Sequence, residues 1–201
     1  MKPTNKPMKR LSLYLFLIFF TLQTPSRADD ISEFQIEGMS IRDSLLDYFS
    51  EEEIKKNIRH EYYKNNEYTA VEFSSRPSFK VYDNVGLDVI TLDKKFVIQS
   101  ISGVLFVENV SDCYKKQKQI DKELSIIFKN AEKEENNRNH SADKTGKSKT
   151  KAINYWFKSG DLATIICLDW SSDLTSKYGW TDNLAVELKT KEYNDFLARS
   201  Q

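Results

Sequence analysis

The sequence predicts an α+β fold in which a mainly antiparallel sheet of about six to seven strands is covered by helices on one side. Capping signals near the N terminus predict two short helices that form a helical hairpin. Apolar residues then alternate with polar ones in two separate regions, which is the pattern of half-buried strands. Between these regions lies one long amphipathic helix, which we expect to pack on the sheet.

The first 28 residues have the features of an export signal. Four cations precede the apolar run Leu11 to Leu22, and Ser26-Arg27-Ala28 presents small residues where a signal peptidase cuts. The apolar run has about a dozen residues, whereas a membrane-spanning helix needs about 20. We therefore predict cleavage after Ala28 and release of residues 29–201 as a single domain into the periplasm or the medium. Retention of the segment as a membrane anchor is the alternative.

The charge of the exported product argues against nucleic acid as a partner. Residues 1–28 carry five of the 30 cations and none of the 30 anions, so the remaining chain has a net charge of about −5. Such a chain has no basic surplus for the phosphate contacts that dominate nucleic-acid affinity. The first cysteine after the signal is Cys113, so no cysteine near the cleavage site can accept a lipid anchor.

The two cysteines, Cys113 and Cys167, allow one intramolecular disulfide. An oxidising compartment favours this bond, and closing a loop of about 50 residues stabilises a fold by a few kcal/mol. Cys113 lies at the start of the long helix and Cys167 on a predicted strand, so the bond would attach that helix to the sheet. A reactive thiol is the alternative, but no C-x-x-C pair and no nearby histidine supports it.

The N-terminal helices are predicted from two capping pairs, Ser40 with Asp43 and Ser50 with Glu53. We interpret the run Glu51-Glu52-Glu53 as acidic residues that favour a first helical turn, not as a catalytic or cation site. The apolar residues expected on the buried faces are Ile41, Leu45, Leu46 and Phe49 in the first helix, and Ile54, Ile58 and Tyr62 in the second.

From Tyr68 to Val107 the apolar period changes to two, which predicts three to four antiparallel strands in a meander. Phe79 to Val81 is included among them. The tetrad Leu92-Asp93-Lys94-Lys95 is a predicted tight turn between the last two strands. Gly103 indicates a bulge in the longest strand.

The long helix is predicted from about Val110 to Glu134, because apolar and small residues recur there at intervals of three and four. Asn109 or Ser111 is expected to cap its start. The segment 136–150 is charged and nearly free of apolar residues, so it is predicted to be a mobile loop.

The C-terminal region predicts a hairpin of Ile153–Lys158 and Leu162–Trp170 around the turn Ser159-Gly160-Asp161. A final strand from Leu184 to Leu188 and a terminal helix from Lys191 to Ala198 complete the expected elements.

Two motifs that resemble catalytic signatures do not meet the requirements of those sites. The segment Ser141 to Ser148 ends like a phosphate-binding loop, but Ser141 stands where the first glycine is required, and a strand follows in place of a helix. His60-Glu61 begins like a zinc-protease motif, but Lys64 occupies the position of the second histidine. We therefore predict no catalytic residues, no cofactor and no metal site.

Aromatic residues concentrate in the last quarter of the chain, where Trp170, Tyr178 and Trp180 flank a predicted loop. Such rings could offer a platform to a sugar, a lipid or a peptide. Alternatively, they could cover the core or close the edge of the sheet. Both interpretations are kept.

The segment Phe34-Gln-Ile-Glu-Gly-Met-Ser40, followed by Asp43 to Ile54, resembles the start of small exported proteins of unassigned function from streamlined marine alphaproteobacteria. This resemblance implies a bacterial envelope protein and supplies no activity. Gly38-Met39-Ser40 at a helix start is also similar to the helical-hairpin-plus-meander modules of small outer-membrane assembly lipoproteins and β-lactamase-inhibitor proteins. The lipid-anchoring cysteine of those lipoproteins is missing in this chain.

Three functions remain as hypotheses at the level of the sequence. The first is a soluble, non-enzymatic binding or interaction protein whose partner is another protein or an envelope component. The second is a hydrolase of envelope polymers or small esters that uses two carboxylates in one cleft. The third is a carrier of a small apolar ligand, which requires an apolar cavity of a few hundred Å³.

Overall fold

The structure, a computed structural model, describes residues 31, 34–60, 62–63 and 65–200. The predicted export signal and its cleavage site lie outside these residues. The described chain is α+β with one fully antiparallel sheet, as the sequence predicts, but the sheet has eight strands. The helices are α1 (Glu51–Lys56), α2 (Val110–Ile127), α3 (Ser172–Tyr178) and α4 (Lys191–Arg199). The strands are β1 (Ile58–Arg59), β2 (Tyr68–Ser74), β3 (Asn84–Ile90), β4 (Ile98–Phe106), β5 (Glu132–Asn139), β6 (Lys149–Trp156), β7 (Leu162–Asp169) and β8 (Asn183–Lys189).

Two four-stranded meanders join along β4 and β8 to form the sheet. The strand order is β1-β2-β3-β4-β8-β7-β6-β5, so the last strand of each meander lies in the centre. The registers Ile101↔Leu188 and Gly103↔Val186 align the two halves. Helix α2 connects β4 in the centre to β5 at one edge and packs against β7 and β8 on the way.

The two faces of the sheet bury different clusters. The core face packs against α2 and the N-terminal segment, and its buried strand residues include Val71, Leu87, Ile101, Ile165 and Val186. The opposite face, which we call the α4 face, carries a smaller cluster in which Tyr193 and Phe196 of α4 pack on Tyr68 of β2. Tyr68 and Val71 thus lie on opposite faces of β2, as period-two alternation requires. Helices pack on both faces of the sheet, so the expectation that helices cover one side only is wrong.

The predicted helical hairpin at the N terminus is wrong. Residues Leu45–Asp47 form one 3-10 turn in place of the first helix. The backbone N–H groups of Arg42 and Leu45 donate to the carbonyls of Ile98 and Phe96, at 2.8 and 3.1 Å. These hydrogen bonds attach the segment to the start of β4, so the groups are not available for a longer helix.

Helix α1 is the predicted second helix, but it ends earlier than expected. Its capping box is confirmed, since the Ser50 hydroxyl accepts from the Glu53 backbone N–H and the Glu53 carboxylate accepts from the Ser50 N–H. The helix stops at Lys56, and Ile58 continues as β1 opposite Val71. The predicted apolar stripe therefore does not reach Tyr62, whose side chain is exposed.

The first meander contains three long strands, within the predicted number, but two details differ. The segment 79–81 is not a strand, because the backbone N–H groups of Lys80, Val81 and Tyr82 donate to the Glu37 carboxylate. The predicted bulge does lie in β4, the longest strand, but at Gln99 rather than at Gly103, because Asp88 and Val89 pair with Ser100 and Ile98 and leave Gln99 as the extra residue. The glycine makes room for the Tyr82 ring, since a Cβ at position 103 would come within 2.7 Å of it.

The predicted extent of the long helix and of the mobile loop is wrong. Helix α2 ends at Ile127, and Glu132–Asn139 forms β5, which pairs with β6 along its whole length. The connecting loop is therefore restricted to residues 140–148. A strand with the sequence EKEENNRN has no apolar alternation, because it lies at the edge of the sheet and exposes nearly all of its side chains.

The C-terminal hairpin of β6 and β7 is confirmed, with Trp156 opposite Leu162 across the turn. Strand β8 and helix α4 also agree with the prediction to within one or two residues. The sequence predicts a loop between Trp170 and Trp180, where the structure has helix α3.

Candidate functional site

Cys113 and Cys167 form a disulfide that attaches the first turn of α2 to β7, as predicted. Their Cα atoms are 5.9 Å apart, and both side chains are fully buried in the main core. The bond is enclosed by the core, so its role is structural.

The three predicted surface aromatics lie together and include a fourth ring. Trp170 and Trp180 have ring centroids 4.5 Å apart, and Trp180 stacks on Tyr178 at 5.0 Å with an interplanar angle of 27°. The His140 ring also contacts Trp170, with centroids 4.3 Å apart. We call the continuous row His140, Trp170, Trp180 and Tyr178 the aromatic ladder.

Backbone hydrogen bonds position the two tryptophans. The Trp170 N–H donates to Asp182 Oδ1 at 2.7 Å, which joins the end of β7 to the segment before β8. Between them, α3 ends at Gly179, whose φ of 71° lies in the left-handed region that favours glycine. This turn directs Trp180 back toward Trp170, so residues ten positions apart become neighbours.

His140 reaches the ladder because the loop between β5 and β6 is tightly hydrogen-bonded. The Asp143 carboxylate accepts from the backbone and hydroxyl groups of Thr145 and Ser148. These bonds, those to the Ser148 hydroxyl first, hold the pKa of Asp143 well below its usual value. The segment that resembles a phosphate-binding loop is therefore a hairpin loop organised by its own aspartate, and it leads into β6.

The surroundings of His140 favour the neutral form of its imidazole. Burial lowers its pKa below the usual value, Arg138 lowers it further, and Asp143 opposes the shift. Its Nδ1 accepts the Ala142 N–H at 3.2 Å, which requires the proton to be on Nε2. A neutral ring beside Trp170 adds aromatic surface without adding charge.

Charged groups of both signs surround the ladder. The Lys177 ammonium lies 4.9 Å from the centroid of the Tyr178 ring, and Lys147 pairs with Asp173 at 2.9 Å. Burial, and then the negative charge of Asp182, raise the pKa of Asp169 above its usual value, while Lys149 opposes them. The ladder thus combines one exposed ring, Tyr178, and three half-buried rings with nearby carboxylates and ammonium groups.

A second polar cluster, which no sequence pattern predicts, lies on the α4 face. The Tyr63 hydroxyl donates to Asp88 Oδ1 at 2.6 Å and is hydrogen-bonded to the Tyr193 hydroxyl. Burial raises the pKa of Asp88, although hydrogen bonds from Tyr63, Tyr193 and Ser100 oppose the shift. The three residues come from a loop, β3 and α4, so no local sequence pattern could bring them together. They attach α4 to the sheet.

One depression of about 490 Å³ lies beside β1 and is lined by Ile58, Arg59, His60, Tyr62 and Glu72. Its single carboxylate, on Glu72, is paired with Arg59 at 3.1 Å. Four of the five lining residues carry ionisable groups, so the depression does not have the apolar lining that a lipid-like ligand requires.

The described part of the chain contains no group of three or more His, Cys, Asp or Glu side chains placed to hold a metal ion. No helix in the same residues is long and apolar enough to cross a membrane. Comparison of the chain with protein-family models, with curated proteins and with solved structures found no match.

Proposed function

We propose that this chain is an exported, non-enzymatic binding protein that contacts another protein or an envelope component through the aromatic ladder. The proposal is supported most strongly by the four rings in continuous contact at one end of the sheet, with the Tyr178 side chain 53% exposed. Tyrosine and tryptophan dominate many binding sites, because each supplies a large rigid contact area and loses little conformational entropy.

The export of the chain is part of the same proposal. Its support is the signal-like sequence of residues 1–28 together with the Cys113–Cys167 disulfide, which is compatible with an oxidising compartment. Detection of the chain with Asp29 as its N-terminal residue in a periplasmic fraction would test this step separately.

A hydrolase is the second candidate, and one observation favours it. Asp169 and Asp182 influence each other electrostatically beside the ladder, and the pKa of Asp169 is raised. A carboxyl group with a raised pKa keeps its proton to a higher pH and can serve as a general acid. Turnover of an envelope polymer or ester that is abolished by Asp169→Asn would favour this candidate. The carrier hypothesis has no comparable support.

The interaction proposal is tested by crosslinking the oxidised protein in an envelope extract and identifying the attached molecules by mass spectrometry. We expect Trp180→Ala to reduce recovery of the partner at least tenfold, since removal of a central aromatic contact costs a binding site about 2 kcal/mol or more. Tyr62→Ala is the matched control, because Tyr62 is an exposed aromatic residue (69%) that lies outside the ladder.

Circular dichroism of both variants checks that the fold is retained. Recovery of the same partner in equal amount from the Trp180→Ala variant would show that the ladder is not the binding surface. Recovery of the chain alone, with no partner, would contradict the proposal and favour a small-molecule ligand or substrate.

A further inference from the structure

Strand β5 forms an open edge of the sheet. It is the last strand in the order, so within the described residues only β6 pairs with it. Its eight residues extend over about 27 Å, and seven of them are exposed. An open edge of this length presents a row of unpaired N–H and C=O groups, to which a strand of another chain can add.

The hydrogen bond that follows the strand shows which residues of β5 face outward. The His140 N–H donates to the Ser148 carbonyl across the β5–β6 hairpin at 2.9 Å. In an antiparallel pair, residues directed at the partner alternate with residues directed away from it. Because β5 pairs with β6 without a bulge, the even-numbered residues face β6. The outward groups therefore belong to Lys133, Glu135, Asn137 and Asn139.

We propose that two copies of this chain associate through β5, antiparallel and with the two-fold axis at Asn136, so that their sheets become continuous. Outward groups must face outward groups, which allows only registers that pair odd-numbered residues with each other. With the axis at Asn136, Lys133 lies opposite Asn139 of the second copy, and Glu135 lies opposite its Asn137. All outward N–H and C=O groups of the strand then have a partner.

Charge selects this register among the allowed ones. The axis at Asn136 places Glu134 opposite Arg138 of the second copy, and the two-fold symmetry forms the same pair again. A shift of the axis to position 135 places Glu135 opposite itself, which is unfavourable. A shift to position 137 removes both Glu–Arg contacts. A register that places Lys133 opposite Arg138 would bring like charges together. It is also excluded because it pairs an odd-numbered residue with an even-numbered one, whereas only the odd-numbered residues of β5 direct their backbone groups outward.

The side chains on both sides of Asn136 support this register. The exposed Arg138 makes no salt bridge in the described part of the chain, whereas Glu134 is held by the Trp156 indole N–H at 3.2 Å. The Glu134 carboxylate is thus already ordered at the position where Arg138 of the second copy would bind it.

Sedimentation of the purified, oxidised chain over a concentration series tests the proposal. We expect a dimer that weakens at high salt, since its Glu–Arg pairs are exposed. Glu134→Arg and Arg138→Glu should each weaken dimerisation at least tenfold by placing like charges opposite each other. An equimolar mixture of the two variants should restore it, because one chain of the heterodimer then carries arginine at both positions and the other carries glutamate at both. A wild-type chain that stays monomeric at several hundred micromolar would overturn the proposal.

Crosslinking measures the register independently. Asn136→Cys should form a disulfide-linked dimer on mild oxidation, because the two residues at position 136 are direct neighbours across the axis. Asn137→Cys is the matched control and should remain uncrosslinked, since its neighbour is Glu135. Circular dichroism confirms that each variant is folded. Equal crosslinking of both variants, or a dimer that survives both single charge reversals, would show that the contact lies elsewhere.

Discussion

At the scale of single residues, Asp88 of β3 shows how a buried carboxyl group can help to attach a helix that is distant in sequence, α4, to the sheet. Its oxygen accepts from Tyr63 at 2.6 Å, and Tyr63 in turn is hydrogen-bonded to Tyr193 of α4. The hydroxyl groups satisfy the carboxyl group, but burial has the larger effect and raises its pKa. The folded state therefore binds a proton at position 88 more tightly than the unfolded state does.

The stability of the fold should depend on this proton. Because the folded-state pKa of Asp88 lies above the unfolded value of about 3.8, the contribution of the group is largest below that value and is lost as the pH rises through the folded pKa. Asn at position 88 keeps one oxygen that can accept the hydrogen bond from Tyr63 and carries no charge. We expect Asp88→Asn to gain stability relative to wild type as the pH rises from 4 to 7, by at most about 1.4 kcal/mol per pH unit.

Urea unfolding at several pH values measures this difference. Asp47→Asn is the control, since Asp47 is exposed in the 3-10 turn and should show no comparable trend. If wild type instead gained stability relative to Asp88→Asn with rising pH, the hydrogen-bonded anion, not the protonated acid, would be the favoured form.

The sequence predicted candidate residues only where the local pattern was strong. Trp170, Tyr178 and Trp180 are close in sequence, so their clustering was expected. His140 was missed because it lies in a polar segment thirty residues away from Trp170. The Tyr63–Asp88–Tyr193 cluster was missed for the same reason, since its contacts depend on the packing of α4 against the sheet.

At the scale of elements, local hydrogen bonds decided which predicted helix starts became helices. Ser50 and Glu53 form a complete capping box, and α1 follows. Ser40 and Asp43 form half of one, since the Ser40 N–H donates to Asp43 Oδ2 at 2.9 Å, but the next N–H groups bond to the segment before β4. Strand β5 escaped prediction because an edge strand with exposed side chains has no apolar alternation to detect.

Removal of the α1 cap should weaken the fold by a measurable amount. The Ser50 hydroxyl accepts the Glu53 N–H at 3.3 Å, and alanine leaves that donor without its partner. We expect Ser50→Ala to lower the free energy of unfolding by about 1 kcal/mol. Ser176→Ala is the matched control, because Ser176 is exposed within α3 and a serine-to-alanine change there favours the helix slightly. Equal effects of the two variants on urea unfolding would mean that the cap contributes nothing to the whole fold.

At the scale of the whole molecule, contacts between distant parts of the chain decide the architecture. The alternation of apolar residues predicted both meanders, yet it could not show that β4 pairs with β8, because any two half-buried strands have compatible patterns. Residues 101 and 188 become neighbours through this pairing. Helix α2 packs against β7 and β8 of the second meander. The disulfide that attaches α2 to β7 determines how closely the helix covers that part of the core.

The Cys113–Cys167 disulfide should therefore contribute strongly to global stability. It joins residues 54 positions apart, for which the chain-entropy model gives about 4 kcal/mol. We expect the double variant Cys113→Ala/Cys167→Ala to unfold at a free energy lower by about 2–4 kcal/mol, measured by urea titration. Reduced wild-type protein should unfold close to the double variant, and added reductant should leave the double variant unchanged. An equal midpoint for oxidised wild type and the double variant would show that α2 is held on the sheet by apolar packing alone, without help from the bond.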